Sequence, residues 1–319
     1  MNMSTSGYFL DLNEGQKRQY IDAETVFIAL QQAKKMASEV RGSMMWRGLR
    51  GKRTLIRTSS SGAQKSLGVQ SDENLALFNS FVARKSSIEE RVKALKSQLV
   101  IQQRLNRAQR VGRVPNIVVS VLNALDSAGL QENFKVVGTH ALYAFEIAAG
   151  VRIGEAAMAT RDVDMLFDSR KRLAFFSAMQ KLDTSLIGLL RKADPSFEVV
   201  EDQRYTARNK DGFEVDIVRR TAKDADPHPL RMSESDDDFW AVQVSMGEKL
   251  LSARRFDQVV VATSGEMAMM RTVHPLDFAR IKLALSQQVN RDANKRGKDV
   301  LQAAVVSELV TEFLPHLLG

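Results

Sequence analysis

The sequence predicts an α+β chain in which a mixed sheet flanked by helices lies between helical N-terminal and C-terminal regions. Three observations carry that expectation. Between about residues 130 and 222, short apolar runs alternate with helical patterns: "FKVV", then "ALYAFEIAAG", then "DVDMLF". A hairpin signal follows, two strand-like runs around "NKDG". On either side stand segments rich in helix formers, among them the proline-free "SDENLALFNSFVARKSSIEERVKALKSQLVIQQRLNRAQ".

Residues 1–128 read as a mostly helical region, with one helical pattern over 19–40 and a basic hairpin at about 41–65. Pro115 breaks the long helical pattern, and "NIVVSVLNALDSAGL" forms another helix with Gly129 near its C-terminal end. Residues 129–225 hold the strand–helix alternation. There "FKVV" is a strand, "GTH" a turn, and the next helix stops at Gly150. A strand covers 161–167, and one helix runs through "RKRLAFFSAMQKLDTSLIGLLRKA" to Asp194-Pro195. Residues 226–319 return mainly to helix: "VSMGEKLLSARR", "HPLDFARIKLALSQQ" and "GKDVLQAAVVSELVTEFLPHLL", with a strand-like "DQVVVAT" between the first two. The acidic "SESDDDF" over 233–239 reads as a solvated loop or helix start.

Composition narrows the chemistry. With 319 residues and 44% hydrophobic content the chain can bury a packed core. It has no cysteine, so disulfides, thiolate metal sites and cysteine nucleophiles are excluded, and any metal must bind oxygen or histidine. The N-terminal "MNMSTSGYFLDLNEGQ" lacks the pattern of a secretory signal, and no apolar run approaches the roughly 20 residues that span a bilayer, so a cytoplasmic location is expected. The net charge of +8 favours an anionic partner. No Asp or Glu falls between Val40 and Ser71, where Arg41, Arg47, Arg50, Lys52, Arg53, Arg57 and Lys65 cluster around Trp46. This segment is either a phosphate- or RNA-contacting hairpin with an aromatic free to stack, or a solvated hairpin with Trp46 in the core.

The strand at 161–167 poses the chemical question. Val163, Met165 and Phe167 alternate with Asp162 and Asp164, which places two carboxylates on one strand face. They repel unless a cation lies between them. A third carboxylate, Asp216, projects from the second arm of the hairpin, where Phe213, Val215 and Ile217 alternate with Glu214 and Asp216. Three such groups form an all-oxygen site suited to one or two Mg²⁺ or Mn²⁺ ions. Two ions about 3.5–4 Å apart stabilise the attacking and leaving oxygens of an in-line displacement at phosphorus. Gly138 and Thr139 lie between a strand and a helix start, where free N–H groups favour an anion.

In this order, "VVGTHALYAF", "TRDVDMLF" and "FEVDIV" resemble the DNA polymerase β-like nucleotidyltransferase superfamily. With "HPLDFARIKLALS", "KDVLQAAVV" and "KSLGVQSDEN", the likeness extends to a group of largely uncharacterised bacterial proteins of that fold and covers most of the chain. The resemblance implies a polymerase β-like core, with Asp162, Asp164 and Asp216 as metal-binding and catalytic residues and Asp216 helping to deprotonate an attacking hydroxyl. It implies that Gly138 and Thr139 hold the triphosphate, with Lys282 and Lys298 contacting phosphates or base. Many members carry Gly-Ser or Gly-Gly where this chain has Gly138-Thr139-His140; Thr139 keeps a hydroxyl and an N–H, while His140 stands open between substrate contact and a structural role.

His228, His274 and His316 show no zinc spacing, and neither a Gly-x-Ser-x-Gly elbow nor a Walker-type loop occurs. The expectation is therefore a metal-dependent nucleotidyltransferase that moves a nucleoside monophosphate from a nucleoside triphosphate to a hydroxyl and releases pyrophosphate. Its acceptor is an RNA 3′ end by preference, tRNA included, with a protein or a small molecule as alternatives. The competing expectation is a noncatalytic nucleotide- or nucleic-acid-binding module of the same fold. Kinase-like phosphoryl transfer is a third, told apart by releasing ADP.

Overall fold

The computed structural model describes residues 7–49, 51–223 and 226–318. Arg50 of the basic segment and the first six residues of the N-terminal stretch lie outside the described residues. The chain divides into two compact units: residues 18–105, and residues 1–17 together with 106–319. Among the described residues no helix is long and apolar enough to cross a membrane.

After strand β1 (Phe9–Asp11), helix α1 (Glu14–Glu39) leads into the first of these units and buries Ala23, Phe27, Leu30 and Ala33 along one face, at the spacing of an amphipathic helix. The basic segment is a three-stranded antiparallel sheet, where a two-stranded hairpin was expected: β2 (Ser43–Leu49), β3 (Lys52–Thr58) and β4 (Gln64–Val69). The third strand escaped notice because its Ser/Gly-rich approach reads as loop. Helix α2 (Asp72–Ala108) follows.

The other unit holds the central mixed sheet. Its elements are α3 (Asn116–Ser127), β5 (Phe134–Val137), α4 (Leu142–Ala149), β6 (Val151–Ile153), α5 (Glu155–Met158) and β7 (Asp162–Phe167). Then come α6 (Arg172–Leu182), α7 (Leu186–Ala193), β8 (Glu198–Val200), β9 (Gln203–Arg208) and β10 (Glu214–Arg219). The chain closes with β11 (Leu230–Arg231), β12 (Trp240–Gln243), α8 (Gly247–Ser252), β13 (Arg255–Val261), β14 (Met267–Val273), α9 (Pro275–Ser286) and α10 (Ala293–Phe313).

The central sheet is mixed, in the order β11-β12-β10-β7-β5, with β9 beside the first half of β10 and β8 beyond it. β7 runs parallel to β10 and antiparallel to β5. Val163, Met165, Leu166 and Phe167 of β7 are all buried, as befits an inner strand covered on both faces. Phe134, Phe167 and Phe175 pack ring to ring at 4.9–5.8 Å under this strand.

Two expectations are corrected. The single helix expected up to Asp194-Pro195 is two helices, α6 and α7, because Asp183 takes a left-handed conformation (φ 46°) that ends α6. The acidic "SESDDDF" run is not wholly solvated: Asp238 is buried, and its carboxylate accepts the backbone N–H groups of Leu186 and Ile187 at 2.9 Å, capping α7 from a distance.

Candidate functional site

The register of the sheet determines what meets at the site. Asp216 of β10 lies opposite Asp164 of β7, and Glu214 opposite Asp162, so the carboxylates expected from separate strands become neighbours on one face. Each of Asp162, Asp164 and Asp216 offers an oxygen within 4.8 Å of the others. Among the described residues no other group of three or more His, Asp or Glu converges in this way.

Such a cluster costs free energy when it stands alone. Burial, followed by the charges of Asp162 and Asp216, pushes the Asp164 carboxyl up to about 7, against the opposing charges of Lys282 and Lys295. Asp216 is raised in the same direction, chiefly by burial and then by Asp162 and Glu214, while the Thr206 hydroxyl, donating to Asp216 Oδ1 at 2.6 Å, holds it back. The Thr160 hydroxyl donates to Asp162 Oδ1. A divalent cation relieves this repulsion, and the hard all-oxygen donor set fits Mg²⁺ or Mn²⁺.

The turn after β5 closes against this cluster. Gly138 adopts φ +67°, a left-handed conformation that glycine takes at little cost, and a Cβ there would collide with Asp164 Oδ2. Only a glycine lets the backbone and the carboxylate share that space. Thr139 is buried, and the Gln302 amide of α10 donates to its hydroxyl at 3.1 Å and to the Ala157 carbonyl at 2.7 Å. The adjacent His140 ring is buried between Tyr143 and Phe213, with centroids 5.6 and 5.8 Å away. Burial pushes its pKa down to about 4, against the charge of Asp162, so the ring is neutral at pH 7 and serves packing rather than phosphate charge.

A cleft of about 260 Å³ opens beside Gly138 and Asp164, and Ser245, Phe278, Lys282 and Arg291 are among its other walls. Three larger grooves, of about 590, 550 and 450 Å³, touch none of the three carboxylates, so size does not point to the chemistry here. Lys282 Nζ lies 2.9 Å from Asp299 Oδ1, and Arg291 lies 2.7 Å from Asp299 Oδ2; Asp299 is buried and fixes both cations. Lys298 is set differently. Its Nζ donates to the Ala159 carbonyl at 2.6 Å, and its pKa is lowered by burial and then by Lys282, with Asp162 opposing.

The structure thus groups Asp162, Asp164, Asp216, Gly138 and Lys282 around one place, with Thr139 at the same turn and Lys298 one step back toward α5. Thr206, Gln302, Lys295, Arg291 and Asp299 join them and were not singled out from the sequence. Only Thr206 left a usable trace, since β9 precedes the hairpin turn and its residues face those of β10.

A family model described as a nucleotidyltransferase matches residues 116–319. No curated protein and no solved structure matches the chain.

Proposed function

The chain belongs to that nucleotidyltransferase family, and with this transferase of phosphorus-containing groups as premise we propose that it moves a nucleoside monophosphate from a nucleoside triphosphate to a hydroxyl acceptor, an RNA 3′ end by preference. The observation that carries the proposal is the convergence of Asp162, Asp164 and Asp216 beside a glycine whose missing Cβ leaves room for Asp164 Oδ2. A pure binder of phosphates gains nothing from three negative charges at that point.

In this reading Asp162, Asp164 and Asp216 would hold one or two Mg²⁺ or Mn²⁺ ions, which would supply charge to neutralise the phosphate oxygens. The acceptor oxygen attacks the α-phosphorus in line; its new P–O bond forms as the bond to the bridging oxygen of the β-phosphate breaks, and pyrophosphate leaves with that electron pair. Asp216 helps to deprotonate the attacking hydroxyl. The backbone at Gly138 and Thr139 receives the triphosphate, while Gln302 holds Thr139 in place. Lys282 and Arg291, fixed by Asp299, contribute preorganised positive charge along the cleft. Lys298 stands near enough to Asp162 to support the same charge balance.

The test is transfer of label from each α-³²P nucleoside triphosphate, with Mg²⁺ or Mn²⁺, to total RNA and to a protein extract, beside the Asp162→Asn, Asp164→Asn chain. Label entering RNA only with the native chain is the expected result. Label in protein alone would replace the acceptor, and release of ADP instead of pyrophosphate would replace the reaction with phosphoryl transfer. Equal transfer by the altered chain would remove the carboxylates from the mechanism.

A further inference from the structure

The net positive charge of this chain falls in one of its two units. Residues 18–105 hold sixteen Lys and Arg against seven Asp and Glu. The rest of the chain holds thirty against thirty-one. The unit with the carboxylate cluster is therefore close to neutral, and the smaller one accounts for the whole net charge of +8. Seven carboxylates cannot neutralise sixteen cations in any arrangement of rotamers. Arg84 pairs with Glu39 and Lys85 with Glu89, both at the surface, where such pairs contribute little. A unit this charged repels itself, a cost that a polyanion removes on binding.

The sheet shows where that polyanion would be met. Leu49 and Lys52 are the last facing pair of β2 and β3, and Gly51 (φ +78°) stands at that end, the tip of the hairpin. Arg47, Lys52 and Arg53 are exposed around this tip, and Lys65 is exposed on β4. The aromatic rings next to them are engaged elsewhere in the unit. Trp46 packs on Phe78 of α2 at 5.9 Å, and the Arg57 guanidinium sits 4.2 Å over Phe81 of the same helix. Trp46 is half-buried and leans on α2, between the free aromatic and the core residue of the two readings of this segment. What remains at the tip is charge without stacking, and charge recognises phosphates rather than sequence.

We propose that residues 18–105 are an RNA-binding module that grips the phosphate backbone through the exposed cations of the β2–β3–β4 sheet, without sequence preference. RNA is chosen among polyanions because the same chain handles nucleotides, a choice that rests on the function proposed above. The charge distribution itself does not rest on it.

The experiment is a fluorescence-anisotropy titration of the full chain against labelled single-stranded RNA of about 20 nucleotides and several sequences, from about 50 to 300 mM salt. The native chain binds all sequences alike, with an affinity that falls steeply as salt rises. Each lost phosphate contact lowers the log–log salt slope by about 0.7 for a single strand, so Arg47→Ala, Lys52→Ala, Arg53→Ala and Lys65→Ala together lower it by about 2–3 and weaken binding at least tenfold. Arg47→Lys with Arg53→Lys keeps the charge and keeps the binding, which separates lost contacts from lost folding. An unchanged slope in the fourfold variant, no RNA binding at about 50 mM salt, or tighter binding to phosphatidylserine-containing vesicles than to RNA each overturns the proposal. The Asp162→Asn, Asp164→Asn chain binds RNA like the native one. RNA binding by a native chain that transfers no nucleotide would sink the reading of the carboxylates and leave this one standing.

Discussion

Replacing Asp164 by Asn stabilises the metal-free chain at alkaline pH. The carboxyl of Asp164 is pushed from 3.8 up to about 7, first by burial and then by Asp162 and Asp216. Three units correspond to a ceiling of about 4 kcal/mol at roughly 1.36 kcal/mol per unit. The sign follows from the direction. Between the two pKa values the folded chain holds a proton that the unfolded chain has lost, so this stability is present in acid and disappears as pH rises through about 7. From about pH 5 to pH 8 the native chain in chelator therefore loses about 2–3 kcal/mol from this group, whereas Asp164→Asn loses none of it. Urea unfolding of both chains in EDTA at the two pH values measures the difference. Adding Mg²⁺ at the higher pH restores the native chain and leaves the variant unmoved. If both chains show the same pH dependence in chelator, Asp164 does not feel the repulsion that the geometry assigns to it, and the case for a cation at this place fails.

Three further outcomes are expected. Gly138→Ala adds a Cβ against Asp164 Oδ2 at a φ of +67°, so it costs about 1–2 kcal/mol of stability and at least tenfold in Mg²⁺ affinity by calorimetric titration; native affinity in a folded variant would refute the close approach. Thr206→Val removes the hydroxyl that donates to Asp216 Oδ1, which raises the Asp216 pKa further, weakens metal binding by about tenfold and moves the acidic limb of the pH–rate profile upward. An unmoved limb would show that Asp216 is not the group that titrates in catalysis. Glu146→Gln removes the buried charge that pairs with the partly buried Arg113 at 2.5 Å and costs on the order of 3 kcal/mol of unfolding free energy in urea titration. A change below about 1 kcal/mol would mean that water already solvates that pair.

What was legible in the sequence follows from periodicity. Asp162, Asp164 and Asp216 stand out because a strand alternates sides every residue, so a carboxylate between buried neighbours announces its face. Gly138 was legible for a similar local reason, since it sits between a strand and a helix. Register is a different matter. Nothing in the sequence says that Asp216 lies opposite Asp164 rather than two residues along, because that pairing is set by the turns and the packing of both faces. The strand β14 was missed since "MAMMRTV" is methionine-rich and carries weak strand preference, and its partner β13 supplies the pairing that makes it a strand. Gln302, 163 residues from Thr139 in the chain, was out of reach of any local pattern. In a helical run such as "KDVLQAAVV" a buried amide reads as a surface position until its partners are known.

The placement of the cations says as much about the site as the carboxylates do. A cluster of three acidic groups is most simply stabilised by letting nearby lysines pair with it, which would also leave it inert toward a metal. This chain does otherwise. Asp299, buried on α10, holds Lys282 at 2.9 Å and Arg291 at 2.7 Å, and Lys298 is turned to the Ala159 carbonyl. The cations therefore act on Asp164 through the field rather than through a salt bridge, and its pKa stays raised despite them. With a left-handed glycine at 138 and hydroxyl donors on Asp162 Oδ1 and Asp216 Oδ1, the fold orients the cluster while leaving its charge uncompensated. A fold selected for stability alone would have closed that gap with a lysine already present 17 residues from its actual partner. In the proposed function a divalent cation supplies the charge that the open gap lacks.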